Sequence, residues 1–168
     1  YRGNYQAKLV EIKLQTQNIP YEITGGQSFY AKTEIKDVMA YLRLIINPTD
    51  DNALLRIINT PRRQIGPTTL EKLGEYANQR NQSLYAAIDE AGLNASMPAN
   101  NLERLKRFKH WIQRVNRNIY DGNPMAAINE MLDDADYHGW LQQNASNDHV
   151  AQKRWENVQF LLSQLAQV

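Results

Sequence analysis

The chain has 168 residues, enough for one domain of ordinary size and a flanking piece. Its residues are 42% hydrophobic and 22% charged, the balance of a globular chain, and no run approaches the ~20 apolar residues that would span a membrane. A formal net charge of +1 excludes an overall positive field as a signal for nucleic acid, and the lack of cysteine excludes disulfides, thiol nucleophiles and cysteine-bound zinc.

Helical periodicity then dominates, element by element. Residues 4–16 follow an Asn cap and place Ala7, Val10 and Leu14 on one face. Ile19-Pro20-Tyr21-Glu22-Ile23 is the best short strand, and Thr24-Gly25-Gly26 breaks the pattern where a bend or hinge is expected. From Thr33 a helix carries Ile35, Val38, Met39, Leu42 and Ile45, and Asn47-Pro48 ends it. Asp50 caps a short helix with Leu54, Ile57 and Ile58, and residues 59–67 form a loop. Residues 68–78 are helical with Leu70, Leu73, Tyr76 and Ala77 inward. Ser83 caps a segment with Leu84, Ala87 and Ile88 that Gly92 ends.

The longest predicted helix runs over 101–118, with Leu102, Leu105, Phe108, Ile112, Val115 and Ile119 at spacings of three and four. Asn123-Pro124 starts another, with Ile128, Met131 and Leu132 inward. The last begins near Asp148 and presents Trp155, Val158, Leu161, Leu162 and Leu165. The expected fold class is all-α, a compact helical bundle with a short helix–strand piece at its N-terminus. The expected setting is cytoplasmic. A chain that opens on Tyr1 rather than Met is expected to be a piece of a longer protein.

Several chemistries have no residues to carry them. A P-loop needs G-x-x-x-x-G-K followed by Ser or Thr, and both Gly25-Gly26-Gln27-Ser28 and Gly66-Pro67-Thr68-Thr69 lack the lysine. His110, His138 and His149 are isolated in sequence, as surface or half-buried residues would be. Asp133, Asp134 and Asp136 lack the glycine and terminal Glu of a calcium loop and suit a solvated helix end. The chain therefore offers no catalytic residues, no metal site and no cofactor of its own.

One segment does carry a signal. Leu55 through Leu70 reads as helix, tight loop, helix. Ile65 is an apolar plug in a polar loop, Gly66 and Pro67 open the next helix, and Thr68 and Thr69 add hydroxyls. A helix N-terminus behind a glycine exposes backbone N–H groups and the positive dipole end to an anion. With Arg62 and Arg63 beside it, the arrangement suits a DNA phosphate bound without reading sequence. An ordinary helix–helix corner with solvated arginines fits the same residues equally well. A second basic stretch, Arg104, Lys106, Arg107, Lys109, Arg114 and Arg117, reads first as a solvated helix face. Tyr30, Trp111, Tyr120, Trp140 and Trp155 could stack on bases but sit mostly at core positions.

A family resemblance enters on particular strings. Tyr1-Arg2-Gly3-Asn4-Tyr5-Gln6-Ala7-Lys8 resembles a strand-to-helix junction of the UvrD/Rep/PcrA family of superfamily 1 DNA helicases. Ile19-Pro20-Tyr21, Gly25-Gly26-Gln27-Ser28-Phe29-Tyr30, Glu34-Ile35-Lys36-Asp37 and Ala40-Tyr41-Leu42-Arg43 continue the likeness. So do Asn47-Pro48 with Asp50-Asp51, and Arg56 through Gly66. Residues 6–11 and 59–67 lean toward the Rep-like branch.

The resemblance implies an ATP- and magnesium-dependent motor moving 3′ to 5′ on single-stranded DNA in replication or repair, with the ATP site outside this chain. It implies that residues 1–28 are the edge of domain 2A and residues 29–168 the helical, regulatory 2B subdomain, with a hinge at Gly25 and Gly26. It implies contact of Thr60, Arg62, Arg63, Ile65, Gly66 and Thr68 with a duplex/single-strand junction, and packing against the other subdomains of the helicase. The alternative it leaves is a surface for self-association or for replication and repair proteins without direct DNA contact; no membrane partner is implied. One departure concerns the loop: many relatives have Gly-Ile-Gly where this chain has Gln64-Ile65-Gly66, which narrows the backbone's freedom.

Overall fold

A computed structural model of the chain describes residues 27–167. The helix expected over 4–16, the strand over 19–23 and the hinge glycines Gly25 and Gly26 lie outside the described residues. Among the described residues the secondary structure is helical, with no strand. No helix among them is long and apolar enough to cross a membrane. The chain divides into two compact units. Among the described residues, one is built from residues 27–39 together with 115–167, the other from residues 40–114.

The first unit contains helix α1 (Gln27–Tyr30), the start of α2 (Thr33–Ile46) and the end of α6 (Ala99–Asp121). It also contains α7 (Pro124–Ala135), α8 (Tyr137–Gln143) and α9 (Asp148–Ala166). Asn123 caps α7 by accepting from the Ala126 amide, with Pro124 at the first position, as the sequence predicts. Asn147 caps α9 in the same way through Val150. Helix α8 was not foreseen. Asp136 creates it by adopting φ 53°, ψ 47°, which ends α7, while its carboxylate accepts from the Gly139 amide and starts α8. A Cβ on Gly139 would collide with that carboxylate.

α7, α8 and α9 bury Ile128, Met131, Leu132, Leu141, Val158 and Leu161. Each such side chain contributes ~1.5–3 kcal/mol of transfer free energy. Two buried carboxylates of α2 are matched by polar partners. Tyr137 Oη donates to Asp37 at 2.8 Å, and the Asn157 amide donates to Glu34 at 2.8 Å. Trp155, expected inward, is half-buried and stacks flat on His138 with ring centroids 4.4 Å apart.

The second unit holds the rest of α2, then α3 (Asp51–Ile57), α4 (Pro67–Arg80), α5 (Leu84–Ala87), a 3-10 turn (Ala91–Ala95) and the start of α6. Asp50 caps α3 through the Ala53 amide and Ser83 caps α5 through Ala86, both as predicted. Asn81 ends α4 in the left-handed region that Asn tolerates. Asp51 ties α3 to α5 by accepting from the Leu84 amide at 3.0 Å.

Two expectations fail here. Gly92 does not end the Ser83-capped helix, which stops at Ala87; it sits inside the 3-10 turn, against the Tyr76 hydroxyl. Leu70 and Tyr76 are half-exposed rather than buried. Tyr76 lies at the rim because its hydroxyl donates to Glu90 at 2.9 Å, and Glu90 also accepts from Arg80 Nε at 2.9 Å. The six apolar positions read along α6 are all buried.

Candidate nucleic-acid interface

α3 and α4 frame the loop from Asn59 to Gly66. An eight-residue corner of this kind carries backbone groups that no helix satisfies, so each needs another partner. Asn59 supplies three. Its Oδ1 accepts from the Ile65 amide at 3.1 Å and the Arg63 amide at 3.3 Å, and its Nδ2 donates to the Ile65 carbonyl. The loop is thus closed on itself by one side chain. Ile65 drops into the core with 3% of its surface exposed, as an apolar plug should. The Thr60–Pro61 peptide is cis.

Of the six predicted contact residues, Ile65 is this buried plug, and the other five fall into two groups. Arg62 and Thr68 are exposed, and Gly66 is half-exposed at the N-cap of the 14-residue α4. Gly66 has φ −74° and ψ 166°, which any residue adopts, and an added Cβ would meet nothing within 4 Å. The space over its backbone is therefore open, and the fold does not require a glycine there. Pro67 takes the first helical position and lends no amide; the dipole end is intact. Arg56 is exposed one turn before the loop.

Thr60 and Arg63 are turned the other way. The Thr60 hydroxyl donates to the Arg56 carbonyl at 3.2 Å, and the Thr60 carbonyl accepts from Tyr41 Oη. Arg63 Nη1 donates to the carbonyls of Ile57 at 2.8 Å, Ile58 at 3.2 Å and Pro61 at 3.3 Å. Its Nη2 donates to Tyr41 Oη at 2.6 Å. The guanidinium carbon lies 5.0 Å from the ring centroids of Phe108 and Trp111 and 5.7 Å from that of Tyr41. Arg62 is exposed, while Arg63 is half-exposed with its guanidinium hydrogen-bonded to its own chain.

Gln64 takes φ 60°, the left-handed region where a glycine would be unstrained. The departure noted in the sequence therefore falls where the backbone feels it. Sequence reading does not connect the Asn59 side chain, Tyr41, Phe108 or Trp111 with the loop's geometry. Only Asn59 left a local trace, as an Asn after a helix and two residues before a proline, where Asn side chains bind their own backbone.

The second basic stretch is mixed. Lys109 is buried, donating to the Tyr85 carbonyl at 2.7 Å, pairing with Asp89 at 2.9 Å and lying over the Tyr85 ring. Arg107 pairs with Glu103 at 3.3 Å on the exposed face, a geometry that contributes ~0.3–0.5 kcal/mol. Arg114 and Arg117 are exposed. The described residues do not fit a nucleoside triphosphate: the one glycine-led helix start has no lysine and loses an amide to Pro67. No group of three His, Asp or Glu among them could hold a metal.

The sequence profile of the UvrD-like helicase C-terminal domain matches residues 1–168. The ATP-dependent DNA helicase Rep of Escherichia coli (strain K12) is 42% identical over 168 residues, which cover 100% of this chain and 25% of that protein. Rep of Buchnera aphidicola subsp. Baizongia pistaciae (strain Bp) is 39% identical over 163 residues, 97% of this chain and 24% of that protein. The ATP-dependent DNA helicase PcrA of Bacillus subtilis (strain 168) is 36% identical over 164 residues, 97% of this chain and 22% of that protein. The chain thus spans about a quarter of the length of these relatives. A profile match along the whole sequence, with relatives of this identity covering nearly all of it, makes the chain a member of the UvrD-like helicase C-terminal domain family.

Proposed function

We infer that this chain is the regulatory, duplex-contacting 2B subdomain of an ATP-dependent 3′ to 5′ DNA helicase that works in replication or repair. On this reading residues 1–28 are the edge of domain 2A, residues 29–168 are 2B, and Gly25 and Gly26 are the hinge between them. ATP and magnesium belong to the remainder of the helicase. The observation that carries the reading is the open backbone at Gly66, set at a helix N-terminus between exposed Arg62 and exposed Thr68. A phosphate seated there meets backbone amides, a hydroxyl and one free cation within a single loop, none of which distinguishes one base from another.

The test is a salt titration of the full-length protein binding a duplex with a single-stranded 3′ tail. Arg62→Ala should weaken junction binding equally across sequences and lower the salt slope by roughly one unit. ATPase activity stimulated by single-stranded DNA should persist. Unchanged affinity and slope would move the duplex contact off this loop.

A surface for a protein partner or a second copy is the other reading. Leu55, 48% exposed beside exposed Arg56, favours it. Concentration-dependent sedimentation that Leu55→Ser abolishes would support that role.

A further inference from the structure

The two adjacent arginines of the loop do different work. We propose that Arg63 is a positioning residue, locked in a cage of carbonyls and aromatic rings, which holds the loop in the shape that offers Arg62, Gly66 and Thr68 to a DNA phosphate and does not itself touch DNA. The proposal rests on the reading of this loop as the duplex contact.

The cage is specific to a planar cation. Nη1 answers the carbonyls of Ile57 and Ile58, which end α3, and of Pro61 within the loop. The Ile57 and Ile58 carbonyls lie at the negative end of α3, and that of Ile57 also accepts from the Thr60 amide at 3.0 Å. Nη2 reaches Tyr41 Oη, and that hydroxyl in turn donates to the Thr60 carbonyl. Phe108 and Trp111 line the sides at 5.0 Å. The guanidinium therefore joins the end of α3, the loop, α2 and α6 through one planar fork. A phosphate could recruit it only by breaking four hydrogen bonds. Arg62, exposed, carries no such cost.

Lysine separates the two roles. A phosphate contact tolerates Lys, because a point charge on a flexible stem still reaches an anion. The cage does not, because an ammonium group cannot span acceptors on two sides with fixed geometry. The test uses the full-length protein and the same tailed duplex. Arg62→Ala should weaken binding and lower the salt slope, and Arg62→Lys should restore both. Arg63→Lys should weaken binding about tenfold although the charge is kept. Tyr41→Phe should act in the same direction. Combined with Arg63→Lys it should cost less than the sum of the two, as residues of one network do. An arginine-selective dicarbonyl reagent should modify Arg62 in the free protein, with protection by DNA, and should leave Arg63 unmodified in both states.

Should Arg63→Lys lose helical content by circular dichroism, the Tyr41→Phe variant and the modification pattern decide. Wild-type affinity in Arg63→Lys, or modification of Arg63 that DNA suppresses, overturns the proposal while the loop's role in binding stands. Wild-type affinity and slope in Arg62→Ala removes the loop from the interface altogether.

Discussion

Removing the Asn59 side chain should unravel the loop from within. Asn59→Ala deletes the acceptor of the Ile65 and Arg63 amides and the donor to the Ile65 carbonyl. Ile65 is 3% exposed, so water cannot replace what its N–H and C=O lose. An orphaned buried group costs about 1–3 kcal/mol, and partial relaxation of the loop brings the sum to roughly 3 kcal/mol. In a chain of this size that corresponds to a fall in melting temperature of about 6–12 °C. Asn59→Asp keeps both acceptances and loses only the donation, so it should fall between wild type and Asn59→Ala. Urea unfolding followed by far-ultraviolet circular dichroism gives the free energies, and hydrogen exchange at the Ile65 amide reports the loop directly. A loss under about 0.5 kcal/mol, with the Ile65 amide still protected, would refute the assignment of Asn59 as the loop's staple.

Gln64→Gly should raise stability by roughly 0.5 kcal/mol. It relieves a left-handed backbone at φ 60° and gives part of the gain back to the unfolded chain; a lower urea midpoint would deny the strain. Gly66→Ala should leave the unfolding midpoint unchanged, because its Cβ meets nothing within 4 Å, and yet should weaken junction binding by standing over the amides; equal affinity would place the phosphate elsewhere. Glu90 should make stability pH-dependent at the acid end. Its hydrogen bond from Arg80, then that from Tyr76, holds its carboxyl below the ordinary 4.5, so its contribution is full above that value and is lost as pH falls through the lowered one. Burial, then the bond to Glu90, raises the Tyr76 hydroxyl, so its share is full below pH 10.0 and is lost as pH rises through the raised value. Glu90→Gln should remove the acid-side dependence in a series of urea midpoints, and an unaltered series would show the contact to be idle.

The helices were legible because periodicity reports a property each segment carries alone. The stripe Leu102, Leu105, Phe108, Ile112, Val115, Ile119 is buried as read, and the Asn123-Pro124 and Ser83 starts are where the caps place them. What escaped depends on conformations that composition does not advertise. Helix α8 exists because Asp136 turns left-handed and caps the next three residues, and nothing in Asp133 to Asp136 distinguishes that from a solvated end. Tyr76 scores as an inward residue by spacing, yet a carboxylate on the 3-10 turn holds its hydroxyl at the rim.

The loop shows the same limit at the scale of one residue. Arg62 and Arg63 are identical in type and adjacent, so no local pattern assigns one to solvent and the other to carbonyls and rings of its own chain. Their difference comes from Tyr41, 22 residues upstream, and from Phe108 and Trp111 on α6, whose spacing announces only that α6 has an apolar face. A cation enters such a place when carbonyl oxygens and ring faces together replace its water. Here the end of α3 supplies the oxygens and α2 and α6 the rings. That combination is assembled by tertiary structure alone. A loop whose charge looks like two phosphate ligands is, by its contacts, one exposed arginine and one arginine that fixes the backbone beside it.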